Sequence, residues 1–199
     1  MKKIILVSNT SWYLYNFRLS IIELFLSHNF EVICIANYDE YSERLVKNGA
    51  VFIRSSLENK GKNPLSDYAY FKFLYKTYVG VKPELIFHYT IKPNIYGSMA
   101  AKKAGIPSIA IVSGAGYIFL HDNLLTTISK KLYSKAARNC NEMWFVNEDD
   151  RRMFIEEKIV DQIKTKVLPG EGINTNLFTR EVAYPVNNKN FIPEILGRY

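Results

Sequence analysis

The chain lacks most of what the common binding and catalytic motifs need. Its two cysteines, Cys34 and Cys140, show no C-x-x-C and no metal-ligand spacing, so both read as reduced structural thiols. No run of about 20 apolar residues occurs, so no segment reads as a membrane-spanning helix. After Met1-Lys2-Lys3 the apolar stretch is only Ile4-Ile5-Leu6-Val7, too short for a secretory leader, and a cytoplasmic location is the expectation. The first loop contains no glycine, where a G-x-G-x-x-G would let a helix N-terminus approach a dinucleotide. That absence argues against a nicotinamide cofactor. Gly61-Lys62 has no upstream glycine at phosphate-loop spacing, and H-E-x-x-H is missing. Ser113-Gly114-Ala115-Gly116 is not the G-x-S-x-G of a hydrolase elbow.

What is present is an ordinary globular composition with a basic bias. Of 199 residues, 48% are hydrophobic, enough for one well-buried domain. Lysine and arginine outnumber acidic residues 26 to 19, a formal +7 that suggests an anionic partner. Nucleic acid, a membrane surface and a phosphorylated ligand all satisfy that charge.

Short apolar runs alternate with helical patterns along the chain. Strands are expected at Ile4–Val7, Val32–Ala36, Val51–Ile53, Leu85–Phe87, Ser108–Val112, Met143–Val146 and Thr165–Leu168. Between them lie a helix carrying Leu19, Ile22 and Leu26, then helices at Glu40–Lys47 and Pro64–Val79. Another opens at Pro93 or Asn94 and closes at Gly105, and a long one covers Leu124–Asn139. In the Pro64–Val79 helix, Tyr68, Phe71, Tyr75 and Tyr78 share one face and are expected in the core. Asn147 reads as an N-cap with Glu148, Asp149 and Asp150 in the first turn, which accounts for that acidic run without a metal. Seven strands alternating with helices predict an α/β, Rossmann-like, mostly parallel sheet with helices on both faces. After a first domain spanning 1–181, residues 182–199 read as a linker, polar over Val182–Asn190, and the start of a further domain, where an apolar pattern resumes from Phe191.

The centre of interest is Pro83 to Gly97. Here His88, Tyr89 and Lys92 fall at a strand's C-terminal end, ahead of a helix N-terminus, the edge where open α/β sheets bind ligands. His88 is either a satisfied strand-end histidine or a substrate contact. Lys92 is either plain surface charge or a phosphate clamp. Tyr13, Asn16 and Arg18 follow the first strand, and Arg18 also fits a solvated helix face. The two glycines of Ser113-Gly114-Ala115-Gly116-Tyr117 permit close backbone approach to a ligand in a second loop, expected to share one cleft with the first. In the long helix, Leu125, Ile128, Leu132 and Ala136 fall on one side and Lys130, Lys131, Lys135 and Arg138 on the other. That basic face is either solvated or a patch for an anionic membrane.

Four segments carry a resemblance: Asn9-Thr10-Ser11-Trp12-Tyr13-Leu14-Tyr15-Asn16-Phe17-Arg18, His88-Tyr89-Thr90-Ile91-Lys92-Pro93-Asn94-Ile95-Tyr96-Gly97, Asn147-Glu148-Asp149-Asp150 and Leu168-Pro169-Gly170-Glu171-Gly172-Ile173-Asn174. Together they resemble the family-4 retaining glycosyltransferases of the GT-B fold, in particular bacterial enzymes that extend lipid-linked surface-polysaccharide or glycoprotein oligosaccharides. The resemblance runs from residue 1 to about residue 180 and implies the N-terminal, acceptor-holding half of such an enzyme. It implies transfer from a nucleotide-sugar, UDP-linked, to a polyprenyl-diphosphate-linked saccharide, with the donor held by a C-terminal domain that is missing here. By the same resemblance no metal, no cofactor and no nucleic acid take part, and attachment to the inner face of the plasma membrane is an option. The substrate-contacting set it implies is Tyr13, Asn16, Arg18, Tyr89, Lys92, Asn94, Gly114, Gly116, Tyr117 and Glu171, with His88 the candidate catalytic group. The sequence departs from the family where many members carry a histidine at the end of the fifth strand and Ser113 stands here. Half of a sugar-nucleotide epimerase of the same fold and a non-catalytic binding module are the alternatives.

Overall fold

The computed structural model describes residues 1–55, 57, 64–114 and 124–172. In chain order it contains β1 (Lys3–Thr10), α1 (Ser11–Ser27), β2 (Glu31–Asn37), α2 (Tyr41–Lys47), β3 (Val51–Arg54) and α3 (Pro64–Val81). There follow β4 (Leu85–Tyr89), a π-helical turn (Pro93–Gly97) running into α4 (Ser98–Ala104), β5 (Ser108–Val112) and α5 (Leu124–Asn139). The described part closes with β6 (Glu142–Phe145), α6 (Glu148–Glu156), a 3₁₀ turn (Gln162–Lys164) and β7 (Thr165–Val167). The expected linker at 182–199 lies outside the described residues.

All seven strands pair in parallel, in the order β3-β2-β1-β4-β5-β6-β7. The inner strands read as unbroken apolar runs because both faces are covered. Alternate side chains feed two layers. Leu6, Cys34, Phe87 and Ile111 pack toward Leu14 and Ile22 of α1 and Leu45 of α2. Ile5, Val7, Ile35 and Ile86 pack on the other face against Tyr70, Leu74 and Tyr78 of α3 and Ala100 and Ala101 of α4. Further along that face, Ala110, Val112 and Phe145 meet Tyr133 and Ala136 of α5 and Phe154 of α6. The strand order reverses between β1 and β4, which opens a crevice at their C-terminal ends.

Local chemistry fixes the element ends. Thr10 caps α1 by accepting from the Tyr13 N–H at 3.2 Å, and Asn147 caps α6 by accepting from the Asp150 N–H at 2.7 Å. Gly105 ends α4 at φ 72°, the left-handed position where a side chain is disfavoured.

Two expectations are corrected. The buried ridge of α3 is Tyr70, Leu74 and Tyr78, spaced by four, while Tyr68 is 59% exposed and Phe71 and Tyr75 only flank the core. His88 is fully buried. Its side chain points into the layer of α3 and α4 and does not line the cleft described below, and Nε2 pairs with the Tyr78 hydroxyl at 3.0 Å. The ring fills the place beside Gly97, where an added Cβ would lie 2.4 Å from His88 Cδ2. The helix after β4 opens at Pro93 as expected, but its first turn is wound as a π-turn. The buried ring and the missing Cβ of Gly97 fit each other within that turn.

Burial lowers the His88 pKa to about 3, so the folded protein holds it neutral. Unfolding restores an ordinary histidine, which takes up a proton below about pH 6.5. The unfolded state therefore binds the extra proton, and stability falls as pH drops through that range, by at most ~1.4 kcal/mol per pH unit from this group. Urea unfolding between pH 7 and pH 4.5 is expected to show a shallower decline for His88→Gln than for the wild type. Gly97→Ala forces the π-turn off the ring and is expected to cost about 1–3 kcal/mol at pH 7 in the same assay.

Candidate functional site

The crevice begins where β4 ends. Thr90, a β-branched residue, sits at φ 68°, a conformation such residues rarely adopt and one that clusters at binding sites. The corner is held from three sides. The Asn9 N–H donates to Thr90 Oγ1 at 3.3 Å, the Asn94 N–H donates to the Thr90 carbonyl at 2.9 Å, and the Thr90 hydroxyl bonds the Tyr89 carbonyl. The strained corner turns Ile91 and Lys92 out over the sheet edge.

Around this corner lies a cleft of about 1010 Å³, bounded by the first turns of α3, the 90–96 segment, the end of β5 and the first half of α5. Most of its wall is apolar, with Phe71, Ile95, Met99, Ile128 and Leu132 prominent. Its only charged lining residues, among those described, are Lys92 and Asp67. Lys92 Nζ lies 2.8 Å from Asp67 Oδ1, and the Tyr96 hydroxyl donates to Asp67 Oδ2 at 2.7 Å. Burial, then the hydrogen bond to the Asp67 carboxylate, raises the Tyr96 pKa far above that of an ordinary phenol, so its O–H remains a donor. Asn94 is buried and its Nδ2 donates to the Ile111 carbonyl at 2.8 Å, pinning the turn to β5. Its backbone N–H is spent on Thr90, so the anion-binding helix end expected there is already partly satisfied.

A second cluster adjoins the cleft. Arg18 of α1 is 2% exposed, with its guanidinium carbon 4.6 Å from the Tyr89 ring centre and 5.3 Å from that of Tyr13. Arg18 pairs with the Glu171 carboxylate and donates to the Tyr13 hydroxyl at 2.7 Å, and the Tyr13 hydroxyl donates to Glu171 Oε2 at 3.0 Å. Glu171 arrives from beyond β7, at the far edge of the sheet, so the 168–172 segment crosses the strand ends to reach α1. It is flanked by Gly170 at φ 85° and Gly172 at φ 69°, backbone that L side chains rarely adopt. Burial pushes the Tyr13 phenol up to about 12, with the Arg18 charge opposing it. Ser113, which lines the cleft, also reaches Tyr13, so the two clusters are contiguous.

The structure thus gathers Lys92, Asn94 and Gly114 at the cleft, and Tyr13, Arg18, Tyr89 and Glu171 beside it. The shared cleft of the two loops is present as far as Gly114; Gly116 and Tyr117 lie outside the described residues. Arg18, open to a solvated reading, is buried. Asn16 joins neither group, since its Nδ2 donates to Trp12 O in its own helix at 2.9 Å. On α5 the basic set divides. Lys130 is 2.9 Å from Glu157 at the end of α6, while Lys131, Lys135 and Arg138 are exposed. Ile128, expected to face inward, is 46% exposed at the cleft mouth. Asp67, Tyr96 and Thr90 were not singled out in the sequence. Asp67 lies 25 positions from Lys92, and no local pattern links them. No cluster of potential metal ligands occurs among the described residues, and none of their helices is long and apolar enough to cross a membrane.

A family profile described as "Glycosyl transferase 4-like" matches residues 3–147, which hold every site residue named above except Glu171. The chain belongs to the glycosyl transferase 4-like family. It is 28% identical over 170 residues to the N,N'-diacetylbacillosaminyl-diphospho-undecaprenol alpha-1,3-N-acetylgalactosaminyltransferase of Campylobacter jejuni, covering 83% of this chain and 45% of that protein. Anabaena Alr3699/HepE, solved in complex with UDP-glucose, superposes with a TM-score of 0.64 at 16% identity, over 89% of this chain and 46% of that one. The UDP-N-acetylglucosamine 2-epimerase of Rickettsia bellii gives 0.61 at 18% identity, over 84% and 44%. These structural likenesses show a shared fold, that of one GT-B half. The chain spans less than half the length of these relatives.

In this glycosyl transferase 4-like domain, Glu171 is the counter-charge of a buried cation. Glu171→Gln is expected to cost about 1–3 kcal/mol in urea unfolding, less than the roughly 3–5 kcal/mol of a fully buried pair because Glu171 is partly exposed. Adding Arg18→Met to that variant is expected to recover part of the loss. Equal losses in the single and double variants would mean that charge pairing contributes nothing there.

Proposed function

We propose that this domain holds the acceptor in a retaining glycosyltransferase that moves a sugar from a UDP-sugar to a polyprenyl-diphosphate-linked saccharide. The observation that carries the reading is the cleft at the strand-order reversal, mostly apolar yet containing the fixed cation of Lys92. An acceptor with a hydrocarbon chain, a diphosphate and a saccharide has a part suited to each surface. The family profile and the Campylobacter relative, named for a diphospho-undecaprenol acceptor, support a transferase over an epimerase half.

In this reading residues 1–181 form the acceptor domain, and 182–199 lead into a donor-binding domain. Transfer with retention develops positive charge at the anomeric carbon and negative charge on the leaving diphosphate, so positioning and electrostatics supply the rate. This half contributes acceptor placement: Asn9, Ser113 and Gly114 line the sheet-edge end of the cleft next to the Tyr13–Arg18–Glu171 cluster, where the acceptor saccharide would face the donor. His88, neutral and enclosed, takes no part in proton transfer. The exposed charges of Lys131, Lys135 and Arg138 would hold the domain against an anionic membrane, where a polyprenyl acceptor resides.

The 199-residue chain is expected to show no sugar transfer from UDP-sugars to a polyprenyl-diphosphate saccharide, and a protein carrying the full donor domain is expected to show it. Comparable turnover by both would remove the half-enzyme reading; UDP-sugar turnover by the longer protein without acceptor would favour the epimerase. Reversing Lys131, Lys135 and Arg138 to glutamate is expected to abolish co-sedimentation with anionic vesicles at low salt, and binding insensitive to salt would exclude an electrostatic patch.

A further inference from the structure

We infer that Asn48 is a deamidation site held inactive by the closing turn of α2, and that its reaction, once it has occurred, keeps that turn from closing again. The inference stands apart from the reading given for the cleft. Asn48-Gly49 is the only Asn-Gly pair in the sequence. Glycine leaves the peptide nitrogen after Asn48 unhindered and the backbone beyond it free to rotate. In the reaction the Gly49 nitrogen attacks Asn48 Cγ and gives its proton to solvent, a C–N bond forms, and Nδ2 takes up a proton and leaves as ammonia. Water then opens the five-membered imide at either carbonyl, giving aspartate or, with the main chain routed through the side-chain carbon, β-aspartate. Water is the sole co-reactant, and Gly49 is exposed to it.

The folded turn opposes each part of that step. Asn48 has ψ 9°, so the Gly49 nitrogen nearly eclipses the nitrogen of Asn48 itself, and ring closure, which needs it beside Cβ, requires rotation about ψ. The Gly49 N–H donates to the Val46 carbonyl at 2.9 Å and the Ala50 N–H to the Leu45 carbonyl at 3.2 Å, and that rotation breaks both bonds. The leaving group is held as well, since Asn48 Nδ2 donates to the Arg44 carbonyl at 2.8 Å. Leu45, fully buried, packs in one core cluster with Leu14 and Ile22 of α1. Reaction therefore waits for local opening of the end of α2.

The product cannot restore what the amide held. A carboxylate has no proton to donate to the Arg44 carbonyl, and it places negative charge at a helix C-terminus. Of the two cations in that turn, Arg44 and Lys47, Arg44 is already engaged by the Tyr41 ring at 4.6 Å and by Glu40 at 3.9 Å. β-Aspartate adds one atom to the main chain ahead of Gly49, which carries the Gly49 and Ala50 amides out of register with the Val46 and Leu45 carbonyls.

The test incubates the 199-residue chain in mildly alkaline buffer when folded, in urea below its unfolding transition, and in urea above it. Peptide mass spectrometry and labelling by an isoaspartyl methyltransferase follow Asn48. The unfolded chain is expected to deamidate at Asn48 ahead of every other asparagine. The folded chain is expected to react roughly tenfold to a hundredfold more slowly, the scale of opening against two backbone bonds and one side-chain bond. Urea below the transition should raise the folded rate. Amide hydrogen exchange at Gly49 and Ala50 reads the second half of the inference. Asn48→Ala, which loses the donor without gaining charge, should exchange several-fold faster than the wild type, Asn48→Asp faster still, and the refolded β-aspartyl chain fastest. Should Asn48→Asp fail to fold, Asn48→Ala and the β-aspartyl chain carry the comparison. Equal rates in the folded and unfolded chain, another asparagine reacting first, or wild-type exchange in the β-aspartyl chain would each overturn the inference.

Discussion

The arrangement depends most on one buried charge. A guanidinium cannot shed its proton in a protein, so Arg18, almost wholly out of water on α1, must be met by a carboxylate and by aromatic faces. Tyr13 and Tyr89 supply the faces, and both lie within reach because α1 starts directly after β1 and β4 lies next to it. The carboxylate comes from the other end of the described chain. Meeting it obliges the segment after β7 to recross the strand ends, with a glycine in the left-handed region on each side of Glu171. A single cation thereby ties the first helix to the last described loop and closes one side of the crevice.

The layer architecture was legible because it depends on short-range signals. Short runs of three to five residues, the Asn147 cap and the Gly105 stop each act within a turn or two, and every expected strand is present. The edge at which the candidate residues gather was legible for the same reason, since it follows from strand direction and the switch in strand order. Burial of individual side chains was not. His88 stands at the end of its strand, yet alternation turns it toward α3 and α4, where Tyr78 and the bare Cα of Gly97 enclose it. A strand-end position tells how far along the edge a residue lies; the face it takes depends on what packs there.

The cleft shows the same limit from the other side. Lys92 could be read from its turn, but its partner Asp67 sits on a different helix, and only the packing of α3 against the π-turn brings them together. The α3 stripe was misassigned because Tyr68, Phe71, Tyr75 and Tyr78 are equally aromatic, and periodicity alone does not say which ridge meets the sheet. The ridge with Leu74 at its centre is the one that does. Ile128 departs from its expected inward place because an open cleft, rather than a core, lies beneath it.

The strand order also governs how the chain can assemble. β1 pairs with β2 through a local crossover, but its other edge waits for β4, with Ile4 opposite Leu85. Closing that gap carries the entropy of a loop of about 80 residues, a slow, late contact compared with its neighbours. During synthesis from the N-terminus, β1, β2 and β3 can therefore gather first, while the free edge of β1 keeps its backbone groups exposed to any other strand. The strand that shields it is the one that ends at His88 and Tyr89. Protection against mispairing and construction of the ligand edge are thus completed by the same event.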